Sequence, residues 1–191
     1  CEDLSAALDS LAPDRLRIAS PAVVNLHVPE GRHDFRCPVQ RDIVVGREYK
    51  AQSNENLDNV MADVAAAHAN VAGAGQRNNK VGITGYCWGG VVVWAAACRL
   101  DFDAAACYYG GGIIDLKDEM PKCPTILHFG KQDASIPMED VDAISAAHPD
   151  LAVFVYDAGH GFNCDQRPDY NPAAFALARE RSMAHFAEHL G

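Results

Sequence analysis

The chain has 191 residues, of which 49% are hydrophobic and 22% are charged, so it is long enough to bury a sizeable core in one globular domain. Its formal net charge is −10 at pH 7, and its Lys and Arg residues form no cluster. This balance argues against a phosphate-binding face, so we expect no nucleic-acid partner and a small-molecule ligand instead. No apolar run approaches the roughly 18 residues of a membrane span, so we expect no membrane segment.

The cysteines show no paired spacing. Their number is odd and no C-x-x-C pair occurs, which favours reduced thiols and predicts a cytoplasmic protein. Most of them lie among Ala, Val and Tyr, where a free cysteine behaves as a small buried hydrophobe. The seven cysteines are at positions 1, 37, 87, 98, 107, 123 and 164.

The predicted elements point to an α/β protein. Residues 1–54 contain a predicted early helix and a strand-like segment at 22–28, and apolar residues at helical spacing over 55–73 predict a helix that covers the sheet. From residue 80 onward short apolar runs alternate with helical patterns, the signature of β-α-β units around a mainly parallel sheet. No linker divides the chain, so we expect one domain over 1–191. The later predictions are strands over 81–84, 104–109, 125–129 and a buried strand over 151–156, with helices over 89–100 and 137 to about 147.

The last predicted helix has clear start signals. Asn171 is its predicted N-cap, and Pro172 follows in the first turn, where the missing N–H of proline needs no helical partner. Near its end, HFAEH at 185–189 matches the H-x-x-E-H pattern of one class of zinc peptidases. Zinc would need a third ligand from elsewhere, so we expect a solvated helix end and no metal. The apolar stripe expected along this helix consists of Phe175, Met183, Phe186 and Leu190.

Residues 83–90, ITGYCWGG, place one reactive side chain among three glycines. Gly85, Cys87 and Gly89 form a G-x-C-x-G pattern between a predicted strand and a predicted helix, the context of a nucleophile elbow with cysteine in place of serine. Backbone angles are strained in such a turn, and the glycines remove side chains that would collide. The spacing fits neither a dinucleotide-binding G-x-G-x-x-G nor a P-loop. A tight turn around a buried cysteine is the structural alternative.

The position of Cys87 predicts its reactivity. At the N-terminus of a helix the dipole and the unpaired N–H groups favour the thiolate over the thiol. In this geometry the N–H of Trp88 points at the oxyanion that forms when the sulfur attacks a carbonyl carbon.

Two further residues follow later strands in the chain order nucleophile, acid, histidine that such folds use. Asp133 follows one predicted strand, and His160 follows the next. We therefore predict that Cys87, Asp133 and His160 form a catalytic triad. Asp157 is a rival acid, but its place at the end of a strand favours a role in the turn.

Four long stretches carry a resemblance to a known family: KVGITGYCWGG, AAACYYGGGI, CPTILHFGKQDASIP and YDAGHGFNCDQRPDYNPAAFALARERSMAHF. From about Arg47 to its end the chain resembles the dienelactone hydrolases, cysteine hydrolases of the α/β-hydrolase fold also called carboxymethylenebutenolidases. The resemblance implies an α/β-hydrolase-like domain with a mainly parallel sheet flanked by helices. It also implies the nucleophile, acid and histidine roles for Cys87, Asp133 and His160.

Two features depart from the family's pattern. The dienelactone-cleaving members are expected to bind the substrate carboxylate through an arginine shortly after the histidine, whereas this chain has Asn163 and Cys164 there and Arg167 later. Residues 1–46 are short and atypical for the family's N-terminal part, which normally supplies several strands and a second oxyanion donor. Val28, in VVNLHVPEG, is our candidate for that donor.

These features predict hydrolysis of a small ester or lactone through a thioester intermediate, with no metal and no organic cofactor. Two other interpretations use the same residues. A catalytically silent domain would bind a small molecule without turning it over, and a thiol redox protein would oxidise Cys87 reversibly with a resolving cysteine nearby. The sequence determines neither the natural substrate nor the oligomeric state.

Overall fold

The computed structural model describes residues 57–72 and 80–191. The strands are β1 (Gly82–Tyr86), β2 (Ala104–Tyr108), β3 (Thr125–Gly130) and β4 (Ala152–Tyr156). The helices are α1 (Leu57–Ala72), α2 (Trp88–Arg99), α3 (Met138–Ala147) and α4 (Pro172–Leu190), and a 3₁₀ helix spans Gly111–Leu116.

The four strands form one parallel sheet in the order β1-β2-β3-β4. Parallel neighbours need crossover connections, and each pair of strands has one: α2 after β1, the 3₁₀ helix after β2, and α3 after β3. All four strands therefore end at the same edge of the sheet. The chain segments that leave this edge build the candidate site.

Helices α2 and α4 cover opposite faces of the sheet. A Cβ placed on Gly85 of β1 would contact Val93 of α2, whereas a Cβ on Gly82 would lie 2.7 Å from Leu190 Cδ1 of α4. This follows from the alternation of side chains along a strand. Small residues bring α2 close to the sheet, since 95–97 and 104–106 are fully buried alanines.

Every strand and helix predicted after residue 80 is present, with ends within two residues of the prediction. The Asn171 N-cap is also confirmed, because its side-chain oxygen accepts a hydrogen bond from Ala174 N at 3.1 Å. The predicted early helix and the strand at 22–28 lie outside the described residues. The 3₁₀ helix was not predicted.

Helix α1 has its main contacts with α2. Two expectations were wrong in detail. The strand at 151–156 was expected to be buried, but Val155 is 42% exposed because β4 is the edge of the described sheet. In α4, Phe175 and Met183 are only half-buried. The buried face of α4 is Ala174, Ala178, Ser182, Phe186 and Leu190.

A buried polar chain explains why Ser182 of α4 faces the sheet. His128 of β3 is fully buried, and its Nε2 lies 2.9 Å from Ser182 Oγ. The same hydroxyl lies 2.7 Å from that of Tyr108, which donates to the Ala178 carbonyl oxygen at 3.2 Å. Because the Tyr108 proton is used there, Ser182 donates to Tyr108 and accepts from the Nε2–H of His128.

The other side of the His128 ring requires the same tautomer. The Tyr156 hydroxyl lies 2.8 Å from Nδ1 and accepts a hydrogen bond from Arg181 Nη1 at 3.2 Å. Arginine only donates, so the Tyr156 proton goes to Nδ1, which must accept it. His128 is therefore neutral and protonated at Nε2. Burial lowers the pKa of His128 to about 3, and the charge of Arg181 adds to this effect.

Acid should weaken the fold through His128. Its pKa is lower in the folded state than the ordinary 6.5, so the unfolded chain takes up the proton first as the pH falls, and stability is lost below about pH 6.5. We expect this residue to remove about 1.4 kcal/mol of unfolding free energy per pH unit between about pH 6 and pH 4. Urea unfolding across this range measures the slope.

His128→Gln is the comparison, because glutamine keeps a donor and an acceptor but does not titrate. The variant should be less stable at neutral pH, since the ring stacks on Tyr108 with centroids 4.4 Å apart, yet its stability should fall less steeply in acid. Equal slopes of stability against pH for the native protein and for His128→Gln would contradict the assignment of His128 as a buried, neutral histidine.

Candidate active site

Cys87 occupies the turn between β1 and α2. Its φ is 56° and its ψ is −122°, with φ in the left-handed range that a cysteine rarely adopts. Two backbone hydrogen bonds hold the turn: Cys87 N donates to the Tyr108 carbonyl oxygen at 3.0 Å, and Gly90 N donates to the Cys87 carbonyl oxygen at 2.9 Å. Cys87 is thereby placed at the edge of the sheet and at the N-terminus of α2.

Two glycines make this turn sterically possible. A Cβ on Gly85 would collide with the backbone of Gly89, which is the clash that the G-x-C-x-G pattern predicts. A Cβ on Gly90 would lie 2.6 Å from the Tyr108 carbonyl oxygen. The absence of this side chain lets the first turn of α2 approach the end of β2.

The structure brings Cys87, His160 and Asp133 together in one hydrogen-bonded chain. His160 Nε2 lies 3.1 Å from Cys87 Sγ, and His160 Nδ1 lies 2.6 Å from Asp133 Oδ2. The Asp133 side chain has no exposed surface, and its Oδ1 accepts a hydrogen bond from Ser135 N at 2.8 Å. With both oxygens engaged, the carboxylate is fixed as an acceptor for an Nδ1–H of the imidazole.

The surroundings of His160 favour its charged form. The hydrogen bond with Cys87 is the largest cause that raises the pKa of His160, and the bond to Asp133 and the charges of both partners raise it further. Partial burial lowers the pKa of His160, but by less than these contacts raise it. An imidazolium in this position can donate a hydrogen bond to Cys87 Sγ and another to Asp133 Oδ2.

The other residues singled out in the sequence lie in different places. Asp157 is exposed, and its Oδ1 accepts a hydrogen bond from Gln132 Nε2 at 2.7 Å, so this acid is engaged away from His160. Trp88 is the first residue of α2 and lines the cavity beside Cys87. Val28 lies outside the described residues.

Tyr109 supports His160 and was not predicted. It follows β2 with a φ of 36°, is 3% exposed, and its N–H donates to the His128 carbonyl oxygen at 2.7 Å. Its ring packs edge-on against the His160 ring, with centroids 5.2 Å apart. A strained backbone beside a reactive group is a feature of functional sites. The two tyrosines of YYG, at the end of a predicted strand, are the sequence feature that could have indicated this supporting role.

A cavity of about 440 Å³ opens beside the Cys87 and His160 side chains. This volume lies within the range of small-molecule sites. One wall is the unpredicted 3₁₀ helix, which contributes two glycines, an acid and a leucine. The lining residues are Leu57, Cys87, Trp88, Val91, Gly111, Gly112, Asp115, Leu116, Ser135, Ile136 and His160.

The described residues hold no group of three or more side chains that could bind a metal ion. His185 and His189 of HFAEH do face each other, with ring centroids 4.7 Å apart, but His185 Nε2 lies 3.2 Å from the Pro124 carbonyl oxygen. Within the described ranges, no helix is both long and apolar enough to span a membrane.

All cysteines of the described part are free. The redox interpretation requires a resolving thiol near Cys87. Cys107 and Cys123 are buried, whereas Cys164 is half-buried in the loop that follows His160.

A model of the dienelactone hydrolase family matches residues 39–190, and the chain belongs to this family. The match begins before Arg47, where the resemblance in the sequence was expected to start. With its parallel sheet flanked by helices, the protein has the α/β-hydrolase fold that the sequence predicted.

Three relatives are identical to this chain at 28% to 34% of the aligned positions. A "putative carboxymethylenebutenolidase" of Salmonella typhimurium is 34% identical over 148 residues, covering 69% of this chain and 55% of that protein. The carboxymethylenebutenolidase of Pseudomonas putida is 32% identical over 145 residues, covering 73% and 61%. A crystal structure of a "putative dienelactone hydrolase" from Klebsiella pneumoniae matches with a TM-score of 0.64 and 28% identity, covering 69% of this chain and 62% of that chain. The chain thus spans little more than half the length of the first of these relatives.

The contact between Cys87 and His160 predicts a measurable titration. The pKa of His160 should lie above the ordinary 6.5 in the native protein and fall in Cys87→Ala, because the largest cause of the increase is removed. NMR of the imidazole ring across pH 5–10 follows the protonation of His160. Cys164→Ala is the control: it removes a thiol that makes no hydrogen bond to His160, so the midpoint should not move. A midpoint unchanged by Cys87→Ala would contradict the contact.

Proposed function

We propose that this protein hydrolyses a small ester or lactone through a thioester on Cys87. The observation that carries the proposal is the unbroken hydrogen-bonded chain from Cys87 Sγ through His160 to Asp133, with the thiol and the imidazole both lining the cavity. The family and the name of the Pseudomonas putida relative support the class of substrate.

In the resting state, Cys87 and His160 form a thiolate–imidazolium pair. The dipole of α2 adds to the charge of the imidazolium in stabilising the sulfur anion, because Cys87 is the N-cap of that helix. Asp133 holds the Nδ1–H, so the Nε2–H of His160 is directed at the sulfur.

Acylation begins when the thiolate attacks the carbonyl carbon and the carbonyl electron pair moves to the oxygen. We assign Trp88 N–H to that oxyanion, because Trp88 is the first residue of α2 and directly follows the nucleophile at the elbow. When the carbonyl re-forms, the C–O bond to the alcohol breaks. The departing oxygen takes the proton from His160 Nε2, which leaves a thioester and a neutral imidazole.

Deacylation uses the same groups in reverse. Neutral His160 accepts a proton from a water molecule as the water oxygen attacks the thioester carbon. Collapse of the second oxyanion breaks the C–S bond, which releases the carboxylic acid and restores the thiolate–imidazolium pair. In the first tetrahedral intermediate the oxygen of an activated ester or enol lactone leaves more readily than an amide nitrogen, so we expect such esters and lactones to react and peptides to be poor substrates.

Cys87→Ala should abolish turnover. Phenyl acetate and a set of lactones are suitable test substrates, and we expect kcat/KM to fall at least about a thousandfold, because Cys87 is the only thiol among the described residues that line the cavity. Mass spectrometry of the quenched native enzyme should show an added acetyl group on the peptide that contains Cys87.

Cys87→Ser tests whether the surroundings are adapted to a thiolate. The hydroxyl has a much higher pKa than the thiol, so most of the activity should be lost even though an oxygen nucleophile remains. Turnover by Cys87→Ala at the native rate would overturn the assignment of the nucleophile.

Asp133→Asn should lower kcat roughly a hundredfold, because the amide can present a donor to Nδ1 and no longer holds the imidazole in the required tautomer. Asp157→Asn is the matched control: it removes an exposed carboxylate that follows β4 at the same edge of the sheet, and it should leave kcat unchanged. Equal effects of the two substitutions on phenyl acetate hydrolysis would show that Asp133 acts only through overall charge.

A further inference from the structure

Asp115 gives the cavity its charge. Apart from Cys87 and His160, it is the only ionisable group among the described lining residues, and they include no lysine or arginine. Asp115 is exposed to solvent on the 3₁₀ helix and forms no hydrogen bond or ion pair with another described residue. No described residue therefore neutralises its carboxylate.

Hydrogen bonds at the end of the 3₁₀ helix hold the backbone that carries Asp115. Trp94 Nε1 of α2 donates to the Leu116 carbonyl oxygen at 3.0 Å, and His148 Nε2 lies 2.6 Å from the Lys117 carbonyl oxygen. Both hydrogen bonds come from buried side chains outside the 3₁₀ helix, and they fix the end of the helix that carries the acid. A charged residue on a backbone that is held in place is preorganised for a ligand.

Arg167 does not balance this charge within the cavity. It follows His160 in the chain, and its side chain packs over Gly161, where a Cβ would lie 3.1 Å from Arg167 Cδ. It is absent from the lining of the cavity. The described wall of the site thus presents a carboxylate to a substrate and no cation.

We propose that Asp115 is a specificity-determining residue that shifts the preference of this site toward esters or lactones with a positively charged group and away from those with a carboxylate. This inference rests on the proposed hydrolase function. An opposite charge about 6 Å away in water-like surroundings changes binding by roughly threefold, and a like charge has the reverse effect. The net charge of −10 acts in the same direction on the approach of substrates.

Three aryl acetates of similar shape test the proposal: phenyl acetate, 3-acetoxybenzoate and 3-acetoxy-N,N,N-trimethylanilinium. For each protein we take the ratio of kcat/KM for the cationic ester to kcat/KM for the anionic ester. Differences in the intrinsic reactivity of the esters cancel when this ratio is compared between the wild-type protein and a variant. We expect Asp115→Asn to lower this ratio about tenfold at low ionic strength and Asp115→Lys to lower it further. About 0.5 M NaCl should reduce the difference, because the charges are exposed.

Asp118→Asn is the matched control, since it removes one negative charge three residues away and outside the cavity lining, where Asp118 pairs with Lys117. It should leave the ratio unchanged. The role of Asp115 would be overturned if neither Asp115→Asn nor Asp115→Lys changed the ratio, or if Asp118→Asn shifted the ratio equally. The proposed hydrolase function would still stand in either case. If wild-type protein and Cys87→Ala hydrolyse phenyl acetate equally, the proposed function itself fails.

Discussion

The hydrogen bond between Cys87 Sγ and His160 Nε2 is the interaction on which the rest of the site depends. It joins residues 73 positions apart in the chain, at the ends of strands that are not neighbours in the sheet. The raised pKa of His160 has this contact as its largest cause. The contact depends in turn on the left-handed backbone of Cys87, which only a turn relieved of side chains at Gly85 and Gly90 accommodates.

The parallel sheet explains why these residues meet. Cys87, Asp133 and His160 follow β1, β3 and β4, whose carboxyl ends share one edge. The remaining strand, β2, supplies support instead of a reacting group: its last residue, Tyr108, accepts the hydrogen bond that anchors the elbow, and Tyr109 packs against the imidazole. Each strand of the described sheet thus contributes a residue to the candidate site or to its support.

Two histidines show how the surroundings set the role of one residue type. His128 is enclosed on the α4 face of the sheet, where burial and the charges of Arg181 and His185 all lower its pKa, so it remains neutral and links Tyr156 to Ser182. His160 is also partly buried, but its two nitrogens meet a thiol and a carboxylate, so its charged form is favoured. The first ring suits a structural connection, and the second suits proton transfer.

The sequence by itself determined the order of the strands and α-helices after residue 80, the Asn171 cap, the elbow around Cys87 and the chain order of Asp133 and His160, because periodicity, glycine and capping are local signals. Only the tertiary structure decided that Ser182 faces the sheet, that β4 is an exposed edge, and that Tyr109 and Asp115 border the site. These facts depend on which strands pair and how closely helices pack. Such contacts join residues whose spacing in the chain carries no signal of their meeting.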